Sequence, residues 1–320
     1  MPLRVAAFNL ENLFSRYLVL DDPEAPRGRV QLAGVASIDY QGGPLSDATT
    51  QAQRNHTGRA ILDLAPDVLA VAEVENLWTL RCFNDEYLSG YFDRMILLEG
   101  NDGRGIDVGL CLRFGLAATV TGIRTHVDEV DPRGSAQRVN RYFDSKGQTI
   151  AVAHALFSRD CLEVDVEAGD RPLTFLVNHL KAQDGTQGAE SLRKAQADRV
   201  AALVGEVRAR GRLSIVLGDL NEDWSHKANL GALKKLVAGG VLSDPFASVP
   251  DPWTHYYAVD QTTSRLDYIL PDASLAATAP TIFRRGLTRK CAAAGGVQYE
   301  SVGLVGSEAS DHCPVAVTLP

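Results

Sequence analysis

The sequence is poor in several features at once. It has only five cysteines in 320 residues (Cys82, Cys111, Cys161, Cys291 and Cys313), an odd number, widely spaced and without a C-x-x-C pair. That excludes a disulfide framework and a structural zinc site as organising devices. No run of about 18 apolar residues occurs, so no segment has the length of a membrane-spanning helix. The opening residues place Arg4 and Glu11 within a short apolar stretch, unlike a secretory signal, and a cytoplasmic location is expected. Positive charge is scarce too: 32 Lys+Arg stand against 40 Asp+Glu, a formal net charge of -8. This argues against a protein that holds nucleic acid by bulk electrostatics, yet leaves room for a nuclease whose carboxylates carry a metal. Aromatics make up 7% of the chain, few for base stacking, and the one dense cluster is Trp253-Thr254-His255-Tyr256-Tyr257, a substrate wall or a piece of core.

What is present is ordinary globular material, 45% hydrophobic and 22% charged, without a linker, internal repeat or low-complexity tract. A single domain over residues 1–320 is expected. Short apolar or β-branched runs bounded by turn residues predict buried strands at Leu3–Phe8, Val68–Val71, Val108–Leu112, Leu162–Val166, Leu173–Val177, Ser214–Leu217, Leu266–Leu270 and Val315–Leu319. Helical spacing predicts one helix ending before Pro66 and another from Leu192 to about Arg210, stopped by Gly211. Strands outnumber helices at irregular intervals, which predicts a layered mixed α/β sandwich. The polar stretch Asp21–Thr49 reads as a long surface loop overhanging a site.

Acidic, amide and imidazole side chains recur where apolar strands end. They are Asn9 and Glu11, Glu73, His179 and Lys181, Asp219 and Asn221, Asp267, and Asp311 with His312. One such residue is usually a turn or cap. As a set they offer oxygen ligands without a Cys/His cluster, which suits a hard ion, Mg2+ or Mn2+, acting singly or as a pair. The histidines and remaining carboxylates supply the oriented water and proton donor that phosphate-ester hydrolysis needs.

The segments Phe-Asn-Leu-Glu-Asn (8–12), Pro-Asp-Val-Leu-Ala-Val-Ala-Glu-Val-Glu-Asn (66–76), Val-Asn-His-Leu-Lys (177–181), Gly-Asp-Leu-Asn (218–221), Ser-Arg-Leu-Asp-Tyr-Ile-Leu (264–270) and Ser-Asp-His-Cys-Pro-Val (310–315) occur in that order. Together they resemble the ordered motifs of the endonuclease/exonuclease/phosphatase superfamily, which includes DNase I. The resemblance implies a DNase I-like four-layer αββα sandwich with two central mixed β-sheets. It also implies roles. Glu73 resembles the principal metal ligand, with Asn9 beside it and Asp311 as a further metal-side carboxylate. Asp219 resembles the carboxylate that orients or deprotonates water, and Asn221 the amide that polarises the phosphate. His312 resembles the imidazole on the scissile phosphate, its tautomer fixed by Asp267.

His179 resembles the histidine of DNase I, inositol polyphosphate phosphatases and bacterial sphingomyelinases, where apurinic-site endonucleases have an amide. Asp107 stands where relatives place a carboxylate paired with that histidine, or else caps a turn. Glu11 departs from the more usual Asp and reaches an ion through water at most. Glu75 and Asn76 are expected to anchor a loop, and Cys313 to be a small buried hydrophobe. Arg104 and Lys181 are the expected phosphate contacts, among nearby basic residues that include Arg138, Arg141, Arg159 and Arg193. The implied activity is metal-dependent hydrolysis of phosphodiesters, with DNA or RNA as substrate. The same site also suits a phosphatase or phospholipase C-type reaction on inositol phosphates, sphingomyelin or another small phosphoester, or a non-catalytic binding protein on the same scaffold. No obligate protein partner is expected.

Overall fold

The computed structural model describes residues 2–15, 17–19, 28–31, 37–40, 45–47, 49–102, 104–131, 155–224, 230–286, 298–303 and 307–320. Its first large sheet contains β1 (Leu3–Leu13), β2 (Val68–Val74), β3 (Phe92–Leu97), β4 (Asp107–Arg113), and, from the other end of the chain, β10 (Thr278–Ile282) and β11 (Val315–Leu319). The second contains β5 (Thr119–Arg124), β6 (Cys161–Ala168), β7 (Arg171–His179), β8 (Leu213–Asp219) and β9 (Asp267–Pro271). Strand order is β10-β11-β1-β2-β4-β3 in one and β9-β8-β7-β6-β5 in the other.

Each sheet is antiparallel except for one central parallel pair, β1 with β2 and β7 with β8. Parallel neighbours need a crossover, and each pair has a helix to make it: α1 (Gln51–Leu64) and α3 (Gln187–Ala209). α1 starts at Gln51, well ahead of its buried residues Thr57, Ala60, Ile61 and Leu64, because Thr50 and Gln53 form a reciprocal capping box. Thr186 caps α3, its side chain accepting from the Ala189 backbone, so the helix begins at Gln187, five residues ahead of Leu192.

Alternation along the strands sorts side chains into layers. Val5, Ala7, Val68, Ala70 and Leu110 meet Val164, Phe175, Ile215, Leu217 and Ile269 in a core between the sheets. Ala6, Phe8, Leu69 and Val71 face the opposite way, onto Ala60, Ile61 and Leu64 of α1 and Leu80 and Phe83 of α2 (Leu77–Tyr87). Leu176, Val216 and Leu270 pack on Val200, Leu203 and Val204 of α3 and Leu233 of α4 (Gly231–Ala238). The result is the expected four-layer αββα sandwich. Each fully buried Val, Leu or Phe in these three cores contributes about 1.5–3 kcal/mol.

The stretch Asp21–Thr49, expected to be a loop, contains the antiparallel pair Gly28–Gln31 with Ser37–Tyr40, and its Leu45–Asp47 pairs with Tyr17–Val19 ahead of it. Whether it overhangs the site lies outside the described residues, as do Arg138 and Arg141. Strands β3, β5 and β10 and helices α2 and α4 were not anticipated. Among the described residues no helix is long and apolar enough to cross a membrane.

Candidate active site

Both sheets end at one shared edge, and each delivers side chains there by a local departure from regular pairing. On the first sheet, the β1–β2 register jumps between Asn9 and Leu13, and the β2–β4 register between Ala72 and Val74. These adjacent bulges put Glu11, Asn12 and Glu73 at φ values of 48°, 59° and 61°. Left-handed backbone at such residues costs about 1–3 kcal/mol each, and re-aims side chains that a straight ladder would point elsewhere. Glu73 Oε2 accepts from the Asn12 backbone at 3.0 Å, which ties one bulge to the other. The Asn9 amide Nδ2 donates to Asp219 Oδ2 at 3.0 Å, and its Oδ1 accepts from the Glu11 backbone at 3.1 Å.

On the second sheet, register sets the neighbours. His179 lies opposite Asp219 in the parallel β7–β8 pair, and Asp267 lies opposite Asp219 in the antiparallel β8–β9 pair. The residue before Asp219 has to be glycine: Gly218 has φ 120°, and a Cβ there would stand 2.0 Å from the Asn178 carbonyl oxygen. Past the strand end, the Asn221 backbone donates to Asp219 Oδ1 at 2.8 Å and its side chain to the Leu180 carbonyl at 3.1 Å.

The Ser310–His312 segment joins the two halves. Ser310 Oγ donates to the Asn9 carbonyl at 2.7 Å and accepts from the His312 backbone at 3.0 Å. His312 Nδ1 then meets Asp267 Oδ2 at 2.8 Å, and Thr254 Oγ1 donates to the same oxygen at 2.7 Å. The other ring nitrogen, Nε2, faces Asp219 Oδ2 at 3.7 Å and Asp311 Oδ1 at 3.9 Å. His179 Nε2 stands 3.6 Å from Asp219 Oδ2 and 3.7 Å from Glu73 Oε1. The cleft so formed has a volume of about 710 Å3, in the range of small-ligand sites, and Arg104 and the buried Arg159 lie on its wall.

Known proteins place this geometry. The sequence model of the Endonuclease/Exonuclease/phosphatase family matches residues 40–312. The chain belongs to that family. Family members are phosphoesterase hydrolases, and the match spans Glu73, His179, Asp219, Asp267 and His312 but begins after Asn9. Among curated proteins none matches. The endonuclease/exonuclease/phosphatase from Bacteroides vulgatus superposes with a TM-score of 0.59 at 16% identity, over 100% of this chain and 99% of that one. Truncated Caenorhabditis elegans TDP2 gives 0.58 at 14%, over 99% and 97%. The human Nocturnin catalytic domain, with a bound sulfate anion, gives 0.55 at 15%, over 99% and 93%. At such identities these likenesses show a shared fold.

Within the family's fold, the two imidazoles are biased in opposite directions. Burial works against charge on His312, but Asp267, Asp219 and Asp311 outweigh it and hold the ring's pKa well above its usual value. Burial pushes His179 well below, aided by Arg159, His312 and Arg104. Burial also raises Asp219 to about 7, with Asp267 adding to the shift against the pull of His312 and the Asn9 and Asn221 hydrogen bonds. Glu11 rises to about 8 through burial and repulsion from Asp311 and Glu308.

That concentration of carboxylates is the field a divalent cation neutralises. Glu11 Oε2 is buried without a hydrogen-bond partner, and Asn9, Glu73 and Asp311 add further oxygen donors, so the donor set fits a hard ion such as Mg2+. The groups whose ligand atoms sit closest together, His255/Asp311/His312 and Asp219/Asp267/His312, contain nitrogen instead. In the second of these, Asp267 is already held by His312 Nδ1, so it reads as a hydrogen-bonded acid–imidazole cluster.

Three expectations need correction or narrowing. Asp107 Oδ1 accepts from the Gly100 backbone, while His179 Nδ1 is buried with no hydrogen-bond partner, so the proposed Asp107–His179 pair is not formed. Lys181 pairs with Asp184 at 3.3 Å and does not line the cleft. Arg104 does line it, paired with Asp102 at 3.2 Å. Arg193 is buried in an ion pair with Glu222. Glu75 and Asn76 are anchors as expected: Glu75 accepts from Ser15, and Asn76 caps α2. Cys313 is fully buried.

The aromatic cluster divides. Trp253 and Tyr256 pack with Cys313, whereas His255 and Tyr257 face the cleft. Arg159, expected near the cleft, lines it, whereas His255 was not singled out in the sequence. The only signal for His255 was a histidine directly after Thr254 in a run that also supplies a cleft wall.

Proposed function

We propose that the protein is a Mg2+- or Mn2+-dependent phosphodiesterase that hydrolyses nucleic acid or oligonucleotide phosphodiesters by in-line attack of water. The observation that carries this reading is the convergence of Asp219, His179 and the Asp267–His312 pair with Glu73 and Asn9 in one cleft. Asp219, buried and raised toward neutrality, is suited to orient a water and take its proton. His312 donates from Nε2 to a phosphoryl oxygen, and Asp267 on Nδ1 keeps that nitrogen aimed and the ring charged. His179, kept neutral, stabilises the crowded phosphorus or hands a proton to the leaving oxygen. Asn221 and Arg104 receive the remaining phosphate oxygens. An ion held by Glu73 and Asn9, with Glu11 and Asp311 nearby, would polarise the phosphoryl group and neutralise developing charge.

The test compares wild type with Asp219→Asn, each with Mg2+, Mn2+ or chelator. The panel is bis-p-nitrophenyl phosphate, p-nitrophenyl phosphate, single- and double-stranded DNA, RNA, inositol phosphates and sphingomyelin. Metal-dependent diester cleavage present in wild type and lost in the variant supports the proposal. Preference for the monoester, inositol phosphates or sphingomyelin moves the protein to another branch. Inactivity on every substrate overturns it in favour of a binding role.

A further inference from the structure

His255 brings a third imidazole to the cleft, and its surroundings have a chemistry that differs from the oxygen donors around Glu73. It begins the strand pair His255–Tyr257/Thr262–Ser264. A backbone bridge sets it opposite His312, fastened by Tyr256 donating to the Asp311 carbonyl and Cys313 to the Thr254 carbonyl. The two rings stand 4.7 Å apart, centroid to centroid, tilted by 48°. His255 Nε2 lies 3.6 Å from Asp311 Oδ2, and His312 Nε2 lies 3.9 Å from Asp311 Oδ1. Ligand atoms of all three residues lie within 4.8 Å of one another. Metal–ligand bonds of about 2.0–2.2 Å in a tetrahedral shell place ligand atoms roughly 3.3–3.6 Å apart, so small side-chain adjustments close these gaps.

We infer that His255, Asp311 and His312 form a nitrogen-bearing cation site that takes a borderline transition ion, Zn2+ or Co2+, and discriminates against Mg2+. Two imidazoles and a carboxylate are a donor set for zinc-like ions, while Mg2+ prefers an octahedron of oxygens. Both ring orientations are prepared. His312 Nδ1 is held by Asp267, and His255 Nδ1 lies 3.3 Å from Ser264 Oγ, leaving both Nε2 atoms to converge on Asp311. Hydrogen bonds of this kind at the far nitrogen fix a ligating imidazole. Asp219 Oδ2, 3.7 Å from His312 Nε2, is within reach as a fourth ligand. Asp311 is half open to solvent at 38% side-chain exposure, which gives an ion a way in. A site built this way has a functional edge: an ion on His312 Nε2 blocks the nitrogen assigned to the phosphate, so Zn2+ opposes the reaction that Mg2+ supports.

The site is tested with the metal alone, on the full chain, by a readout independent of any substrate. Zn2+ or Co2+ is titrated into metal-free wild type, His255→Asn and Glu73→Gln by calorimetry, with Co2+ absorption as the second signal. The expected result is a Zn2+ affinity at least 10-fold weaker in His255→Asn and little changed in Glu73→Gln, with Mg2+ binding showing the reverse order. X-ray absorption of the one-to-one Zn2+ wild-type complex needs no variant, and its expected shell has two imidazoles. Equal Zn2+ affinity in wild type and His255→Asn overturns the proposal. So does a shell with one imidazole or none. Failure of the phosphodiesterase assay leaves these readouts untouched, so the two readings fail separately.

Discussion

Asp267 leaves His312 one orientation, because its Oδ2 accepts from the ring while Thr254 Oγ1 donates to that oxygen and accepts from the Asp267 backbone at 3.0 Å. Replacing the carboxylate by an amide keeps the shape and removes the charge. Asp267→Asn is therefore expected to lower kcat by about 100-fold or more with little change in KM, measured by steady-state kinetics on the preferred substrate of the panel. An unchanged kcat would remove the pair from the reaction. Gly218 is a position where shape alone decides. A methyl group placed 2.0 Å from the Asn178 carbonyl oxygen forces β7 and β8 apart. Gly218→Ala should lose about 3 kcal/mol or more in urea denaturation, and an effect below about 1 kcal/mol would contradict the close approach. At this scale the sequence was informative. Asp219, Asp267 and His312 are legible because each ends or begins an apolar run and belongs to a motif. His255 was not, because its relation to Asp311 depends on strand pairing across more than 50 residues, which no local pattern encodes.

Elements were legible where burial is continuous. β1, β2, β7 and β8 run through the inter-sheet core, so their apolar runs stand out. β5 reads Thr-Val-Thr-Gly-Ile-Arg at an edge with few buried side chains, and its strand character comes from pairing with β6. The bulges of β1 and β2 were invisible too, since a slip of one or two residues in register leaves no trace in composition, although both deliver site residues. β6 shows how an element hides polar cargo. Leu162, Val164 and Val166 face the inter-sheet core, while Glu163 on the other face is buried against Arg124, Arg210 and His126. Burial opposes charge on His126, but hydrogen bonds to Glu163 and Glu129 outweigh it and raise its pKa. A raised folded-state pKa gives stability that is complete below the unfolded value of about 6.5 and lost as pH rises through the folded value. The stability difference between wild type and His126→Asn, from urea melts at several pH values, should be largest in mild acid and shrink toward alkaline pH. A difference that grows with pH would show that the imidazole is not stabilised as a cation.

At the scale of the molecule, the site belongs to neither sheet. Asn9 and Glu73 come from β1 and β2, His179, Asp219 and Asp267 from β7, β8 and β9, and His312 from the segment entering β11. The separation Asn9 Nδ2 to Asp219 Oδ2, 3.0 Å, is a bond between the sheets, and the apolar core directly beneath sets it. Two predictions follow from one cause. A saturating divalent ion held by Glu73, Asn9 and Asp311 binds β1, β2 and the segment entering β11 only when these distant parts of the chain are packed together. It should therefore raise the melting temperature, by the equivalent of about 2.7 kcal/mol at 100 times its Kd, and Glu73→Gln should abolish most of that gain. Because β11 is laid beside β1 from the far end of the chain, closing the first sheet around the second's insertion, residues 1–320 should unfold as one domain. Far-UV circular dichroism, tryptophan fluorescence and residual phosphoesterase activity should fall together along a urea gradient. Loss of activity well before loss of secondary structure would mean that the sheets part first, and that the shared core is weaker than its burial implies.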